Sequence, residues 1–364
     1  NNQFQVTDNL KVANTSATGS RQSDIVGYVN GLPLVVIEAK KPAVDDNIWQ
    51  MIHHQSAAEI PLLFAYSQLL LAISATEGRY ATTGTQTAYW TTWQEKPDTA
   101  ENLNEPQQLL THLLNKSRVL EMIRFYLLFD KKMGKVVARY PQFFAIGALL
   151  KRISQRKLNG SRQGGVLWHT AGSGKSLTLA LFCKVLLRHC EFTNCRIIVV
   201  TDRPNLDRRL ADDPLTKVTS GKQLAKRIGQ GNERLLFSLI NKFNTAIKHP
   251  GCYNPSNNLI VVMDECHESQ NNETTERIKQ ALPNAAFIAF TGIPTPAKKK
   301  DQILNQFGRM IHSYTVQQAV DDHTITPVLY EDRSFPDQDQ EHNRIKLIAA
   351  DIANHLSLHF KPQG

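Results

Sequence analysis

Between Gly165 and Leu187 the sequence passes from a short apolar run, Gly165 to Trp168, through Thr170-Ala171-Gly172-Ser173-Gly174-Lys175-Ser176 into a strongly helix-forming stretch, Leu177 to Leu187. Strand, glycine-rich turn and helix in that order predict part of a parallel α/β sheet, with the positive end of a helix set at the end of a buried strand. Backbone N–H groups of Ala171, Gly172, Ser173 and Gly174 are then placed to close around phosphate oxygens. Lys175 is placed to reach the β and γ phosphates of a nucleotide, and the Ser176 hydroxyl to ligate Mg²⁺. His169 stands where the general Gly-x-x-x-x-Gly-Lys-Ser pattern has its first glycine.

A site of this kind needs an acidic pair at the end of a second buried strand. Leu259 to Met263, followed by Asp264-Glu265-Cys266-His267, supplies one. Five consecutive apolar residues read as a strand covered on both faces. Asp264 is expected to hold Mg²⁺ through water, and Glu265 to orient the attacking water as general base. Cys266 reads as packing; His267 reads either as a relay leading away from the γ-phosphate or as a satisfied loop histidine. Arg196 to Thr201, ending at Asp202-Arg203, and Ala286 to Phe290, ending at Thr291-Gly292-Ile293-Pro294, are two further candidate buried strands.

A different chemistry lies upstream. Asp24 to Val29 and Leu32 to Lys40 read as strands joined at Asn30-Gly31, the dipeptide that best tolerates the positive φ of a tight hairpin. On the second strand the period of two sends Leu34, Val36, Glu38 and Lys40 to one face and Val35, Ile37 and Ala39 to the other. Converging carboxylates, Asp24 and Glu38, can hold Mg²⁺ against a scissile phosphate, and the Lys40 ammonium can stabilise the charge that develops. Register decides whether they converge. A strict two-residue loop sets Asp24 opposite Ile37, on the wrong face, whereas one extra residue sets it opposite Glu38. We therefore expect a three-residue loop or a bulge around Asn30 to Leu32. A helix over Trp49 to Ala58 follows, with Gln50 and His54 four residues apart. His53 and His54 make a poor metal pair, because adjacent helical residues point in different directions. On residues alone, Glu-x-Lys on a solvated strand face is the competing reading.

Asp24 with Glu38-Ala39-Lys40 resembles the PD-(D/E)xK nuclease superfamily, and Gln50 falls at that family's Gln-x-x-x-Tyr position, with His54 in place of Tyr. Asp264-Glu265-Cys266-His267 resembles the DExH box of superfamily 2 helicases and translocases. In that resemblance Asp202-Arg203 is a DNA-contacting motif, and Thr291 to Pro294 couples hydrolysis to DNA movement. Arg139-Tyr140-Pro141-Gln142 resembles the adenine-recognition motif, with Gln142 reading the base edge, and a surface turn is the competing reading. Nuclease first and motor second is similar to the restriction (R) subunit of type I restriction-modification enzymes; type III subunits carry the nuclease after the motor. The resemblance implies ATP and Mg²⁺ as cofactors, double-stranded DNA as substrate, methyltransferase (M) and specificity (S) subunits as partners, and a cytoplasmic setting. It also implies that the specificity subunit reads the target. Glu268 stands where the family commonly has Arg, Asp337 to Asn343 is a short bridge, and no arginine-finger motif is recognisable after Pro327. Weak ATP binding and slow turnover by this chain alone are therefore expected. The competing functional readings are a helicase of DNA repair or RNA with a non-cleaving N-terminal domain, and a regulatory ATP-binding module.

The expected division is a nuclease-like α/β domain over residues 1–96, a helical connector over 97–135 with an apolar stripe (Leu109, Leu113, Leu114, Leu120, Ile123, Leu127), a RecA-like domain over 136–326, and the start or border of a second such lobe over 327–364. The first residue is Asn and the chain stops after a helix-like segment, Ile345 to His359, as expected of a fragment. At 364 residues, with 41% hydrophobic and 21% charged, the composition is that of folded globular proteins, and a net charge of +9 suits a polyanionic partner. The longest apolar stretch, Ile60 to Ser74, is interrupted by polar residues and too short to span a bilayer. Five cysteines without a Cys-x-x-Cys pair indicate neither a disulfide framework nor zinc.

Overall fold

The computed structural model describes residues 2–15, 19–39, 41–57, 59–95, 103–130, 133–201, 218, 220–264, 272–292, 297–327 and 341–359. They fall into two compact units, Asn1–Ile325 and Thr326–Gly364.

The first unit opens with a five-stranded sheet: β1 (Phe4–Ala13), β2 (Ser20–Val29), β3 (Leu32–Glu38), β4 (Leu69–Ile73) and β5 (Gly78–Ala81), in that spatial order. Strands β1 to β3 form an antiparallel meander; β4 then joins β3 in parallel, after helices α1 (Val44–His54) and α2 (Pro61–Tyr66) have crossed one face. A parallel neighbour requires such a crossover, and the helices bury the apolar face it passes. Val26, Val36, Leu70 and Ala72 from the sheet pack there with Val44, Ile48 and Met51 of α1 and Phe64 of α2. Val35, Ile37, Leu69 and Leu71 point the other way, into a core they share with the connecting helices and the second sheet.

The connector departs from the expected single helical pattern. It contains α3 (Glu105–Gln108), a π-helical turn Leu109–Leu113, and α4 (Lys116–Phe125), and then turns to strand: β6 (Leu127–Asp130) pairs antiparallel with β7 (Gly134–Val137). Leu127, read as part of a helical stripe, is a strand residue. The stripe fails there because the helix ends at Tyr126, whose N–H closes on Met122 O, and Gly134 at φ +74° turns the chain back. The helix expected over Trp49 to Ala58 also begins earlier and ends at His54, and Glu59 starts the approach to α2.

The second sheet has six strands, ordered β10 (Leu235–Leu239), β9 (Arg196–Thr201), β11 (Leu259–Asp264), β12 (Ala286–Thr291), β8 (Gly165–His169) and β13 (Met310–Tyr314), and all its pairings are parallel. Its central strands are near-continuous Val, Ile, Leu and Phe, as sheets covered on both faces require. Helices α5 (Tyr140–Ser154) and α6 (Lys175–Arg188) cover one face, within the core shared with the first sheet. Helices α7 (Gly221–Gln230), α8 (Ile240–Ala246), α9 (Asn272–Ala281) and α10 (Ala297–Phe307) complete the layers, and α11 (Val316–Asp321) follows β13. The glycine-rich turn leaves β8, the acidic strand is β11, and β12 lies between them. This is the RecA-like arrangement. The second unit contributes α12 (Glu341–His359), on which Ile345, Ile348 and Ile352 are exposed. No described helix is long and apolar enough to cross a membrane.

Candidate functional sites

In the first sheet the loop between β2 and β3 keeps only Asn30 and Gly31 outside the ladder, at φ +53° and +80°. The extra residue sits further on. Val29 pairs with Leu32 and Tyr28 with Pro33, but Gly27 pairs with Val35, so Leu34 is bulged out of β3. The expected bulge therefore exists, displaced from Asn30–Leu32 to Leu34. Asn-Gly satisfies a two-residue turn by itself, leaving the irregularity to be absorbed inside the strand, opposite Gly27, which has no side chain to resist it. Beyond the bulge Ile25 pairs with Ile37, and the same register carries Asp24 to Glu38.

Both carboxylates consequently lie on the α1 face, with Val26 and Val36 as their sheet neighbours. Glu38 is fully buried and Asp24 is 7% exposed. Gln50 Nε2 on α1 donates to Glu38 Oε2 at 3.0 Å, and Asp24 Oδ2 accepts from the Ala39 N–H at 2.8 Å. Each carboxylate is thus oriented by a neutral donor. Lys40 lies outside the described residues. His54, one turn beyond Gln50, is buried, and its Nδ1 has no hydrogen-bond partner among the described residues. Burial, and then the charge of Arg21, hold the imidazole below its usual pKa. Arg21 is itself paired with Glu59, Nη2 to Oε1 at 2.8 Å. His53 turns outward and stacks on Trp49 at 5.3 Å, so the two adjacent histidines do not converge. Among the described residues no group of three or more His, Cys, Asp and Glu side chains gathers as a metal cage. Two carboxylates with hard oxygen donors fit a cation that retains several waters, as Mg²⁺ does.

In the second sheet β8 delivers Thr170 to Gly174 at its C-terminal end. Gly172 and Gly174 take φ +78° and +91°, a conformation that side chains with a Cβ rarely adopt. Gly174 is the N-cap of α6 and offers no side-chain cap, so the helix presents its first-turn N–H groups at a surface where Ala171, Gly172 and Gly174 are exposed. Lys175 and Ser173 are buried, and the Ser173 hydroxyl donates to Thr170 O at 2.7 Å. This backbone fits a polyphosphate. Asp264 ends β11 and is 7% exposed; Thr201 Oγ1, at the end of β9, donates to its Oδ2 at 3.3 Å. Thr291 ends β12 and is also buried. Glu265, Cys266, His267, Asp202-Arg203 and Ile293-Pro294 lie outside the described residues.

Gln142 lies at the loop, where its side chain bridges two backbones. Its Oε1 accepts from the Arg139 N–H at 2.9 Å, capping α5, and its Nε2 donates to Gly174 O at 3.3 Å. The amide read from sequence as facing a base edge is engaged with the phosphate loop, and each end keeps one further hydrogen-bonding position. His169 is fully buried and its Nε2 lies 3.0 Å from His312 Nδ1. Burial pushes His169 down to about 3 and His312 to about 4, so both rings are neutral and share one proton donor. Sequence reasoning missed His312, Tyr314, Asp322 and Ile325, which surround this loop from the last strand and its following turn. No local pattern marks them, since β13 enters the sheet only by pairing with β8 over a long separation.

A family model described as SWI2/SNF2 ATPase matches residues 141–360, and one described as type I restriction enzyme R protein N terminus matches residues 1–89. The type I restriction enzyme HindI endonuclease subunit of Haemophilus influenzae is 33% identical, over 91% of this chain and 35% of that one. A type I restriction enzyme endonuclease subunit of Staphylococcus aureus is 26% identical, over 88% and 35%. Among solved structures, the Pyrococcus furiosus Hef helicase domain aligns with a TM-score of 0.32 and 17% identity, over 44% of this chain and 37% of that one. The chain spans 35% of the length of these curated relatives. It belongs to the SWI2/SNF2 ATPase family, and ahead of the ATPase its residues 1–89 are similar to the type I restriction enzyme R protein N terminus.

Proposed function

We propose that this chain is the nuclease and first motor lobe of a type I restriction subunit, which pulls duplex DNA at the expense of ATP and cuts it with Mg²⁺. Residues 1–96 would cut, 97–135 connect, 136–326 drive, and 327–364 lead towards a second lobe. The observation that carries the reading is the Leu34 bulge, which brings Asp24 and Glu38 to one buried face beside Gln50. A solvated strand face, the competing reading, does not bury two carboxylates.

Bound Mg²⁺ would supply Lewis acidity and a water of lowered pKa at the cutting site, and would neutralise phosphate charge at the motor site. The chain's own groups do the rest. Asp24 and Glu38 hold the cation, Gln50 fixes the Glu38 carboxylate in place, and Lys40 stabilises charge on the phosphate. In the motor the 171–174 backbone binds the phosphates and Lys175 reaches the β and γ groups. Ser176 and Asp264 hold the second cation. Glu265 would accept the proton of the attacking water, and His267 would relay from the γ-phosphate towards the DNA side. The relatives' names, each that of an endonuclease subunit, support a multi-subunit complex, in which M and S subunits would be the partners and the cytoplasm the setting.

The test is cleavage and ATP hydrolysis of the full-length subunit assembled with its partners on unmodified DNA. Glu38→Ala is expected to abolish cutting and spare hydrolysis, whereas Lys175→Ala abolishes both. Cutting by Glu38→Ala at the unaltered rate would sink the nuclease assignment.

A further inference from the structure

The phosphate loop is anchored at both of its ends by elements that are far apart in sequence. At its start the Thr170 N–H donates to Tyr314 O on β13 at 3.0 Å. At its end Gly174 O accepts from Gln142 on α5. Each anchor lies at or beside a tyrosine, and both phenols donate to the same oxygen: Tyr140 OH to Asp322 Oδ2 at 2.6 Å and Tyr314 OH to Asp322 Oδ2 at 2.6 Å. The two rings meet edge to face at 6.4 Å. Burial first, and then the Asp322 hydrogen bond, raise both phenols above their ordinary range, which keeps them protonated and therefore donors. Asp322 sits just after α11, whose end is closed by Thr324 and Ile325 N–H groups on Ala319 O. Three residues on, the Ile325 side chain meets the loop itself: a Cβ built on Gly172 would lie 3.1 Å from Ile325 Cγ2.

We propose that Asp322 is a positioning residue for the nucleotide, tying the strand that holds the start of the phosphate loop to the helix that holds its end. The inference rests on the reading of this loop as the ATP site. A hydrogen bond to a charged acceptor is stronger than one between neutral groups, and two converge here, so the carboxylate sets the separation of α5 and β13 on either side of the loop. Its action is through backbone geometry and not through contact with reacting atoms. Loss of the carboxylate should therefore weaken binding while leaving turnover of bound nucleotide nearly unchanged.

The test uses the full-length subunit in its assembled complex, with fluorescent ATP for affinity and steady-state hydrolysis for KM and kcat. Asp322→Ala is expected to raise the Kd and KM for ATP by about tenfold, the usual worth of a lost charge-assisted hydrogen bond, with kcat changed less than about twofold. Asp322→Asn, whose amide oxygen still accepts the phenols but without the charge, should recover part of the affinity. Tyr140→Phe and Tyr314→Phe should each weaken binding, and the double variant should be no worse than Asp322→Ala, because all three changes break one junction. Thermal unfolding without nucleotide is measured alongside. If Asp322→Ala binds ATP as wild type while Lys175→Ala does not, the role of Asp322 is overturned. That role falls equally if the loss of affinity in Asp322→Ala matches its loss of folded protein, or if Asp322→Asn is as poor as Asp322→Ala. If Lys175→Ala itself binds ATP normally, the reading of the loop fails, and the inference with it.

Discussion

Glu38 and Asp264 each close a buried strand, yet they are made available in different ways. Asp264 leaves the C-terminal edge of a parallel sheet, where every strand delivers its last residue to the same side and the neighbours β9 and β12 bring Thr201 and Thr291 alongside. Sliding such a strand by one residue would cost packing without moving the edge to the other side of the sheet. Glu38 instead acts from a sheet face, in an antiparallel pair where one residue of register exchanges the two faces. The proposed motor site is set by topology. The proposed cutting site is set by parity and depends on a single bulge.

The strongest way to break the contrast is to delete Ile25, which leaves the Leu34 bulge in place and slips β2 by one residue beyond it. Val26 would still pair with Val36, Asp24 would face Ile37, and cleavage by the assembled complex should fall about 100-fold or more, as expected when a reacting geometry is lost. ATP hydrolysis by the same protein should persist. Hydrolysis lost together with cutting would show that the two sheets do not keep separate registers. A smaller effect is expected from Gln50→Leu, which removes the donor to Glu38 and leaves the carboxylates in register; the Mg²⁺ concentration giving half-maximal cleavage should rise about 10-fold to 100-fold. An unchanged metal dependence would show that Glu38 is oriented by the strand alone.

The smallest effect sharpens the motor side. His169 and His312 have folded pKa values of about 3 and about 4, below the unfolded value of 6.5, so the unfolded chain takes up protons that the folded chain refuses. Their neutral pairing therefore contributes fully above pH 6.5, and stability is lost as pH falls from there towards about 4. The loss should be on the order of 1 kcal/mol per pH unit for each histidine. Urea unfolding at about pH 7.5 and about pH 5, on either side of the unfolded histidine value, should show it, and His312→Phe should flatten it. A wild-type urea midpoint that does not fall over this interval would overturn the buried neutral pair.

Much of the motor was legible because its signals are local: apolar strands ending at Thr201, Asp264 and Thr291, and glycines where φ is positive. The hairpin was legible for the same reason, and the need for one extra residue followed from parity. Where that residue would go was not, since Asn30-Gly31 makes a complete turn and the choice of Leu34 depends on Gly27 across the ladder. The connector misled because Leu127 continues a helical spacing by coincidence after α4 has ended. The loop's companions, Tyr314 and Asp322, became visible only with the pairing of β13 to β8.

The apolar cluster that begins at Val35 and Leu71 runs without a break through Trp93 and Leu113 to Phe143, Leu167 and Ile197, and Tyr80 OH closes it by donating to Ala138 O at 2.8 Å. A genetic engineer who cut the gene just after the codon for Lys96 would therefore divide a single hydrophobic interior. The released N-terminal piece would carry a sticky sheet face, and the remainder would have lost part of its own lining. Swapping cutters between related motors would succeed only when the incoming sheet brings a matching set of side chains on the side turned away from its carboxylates.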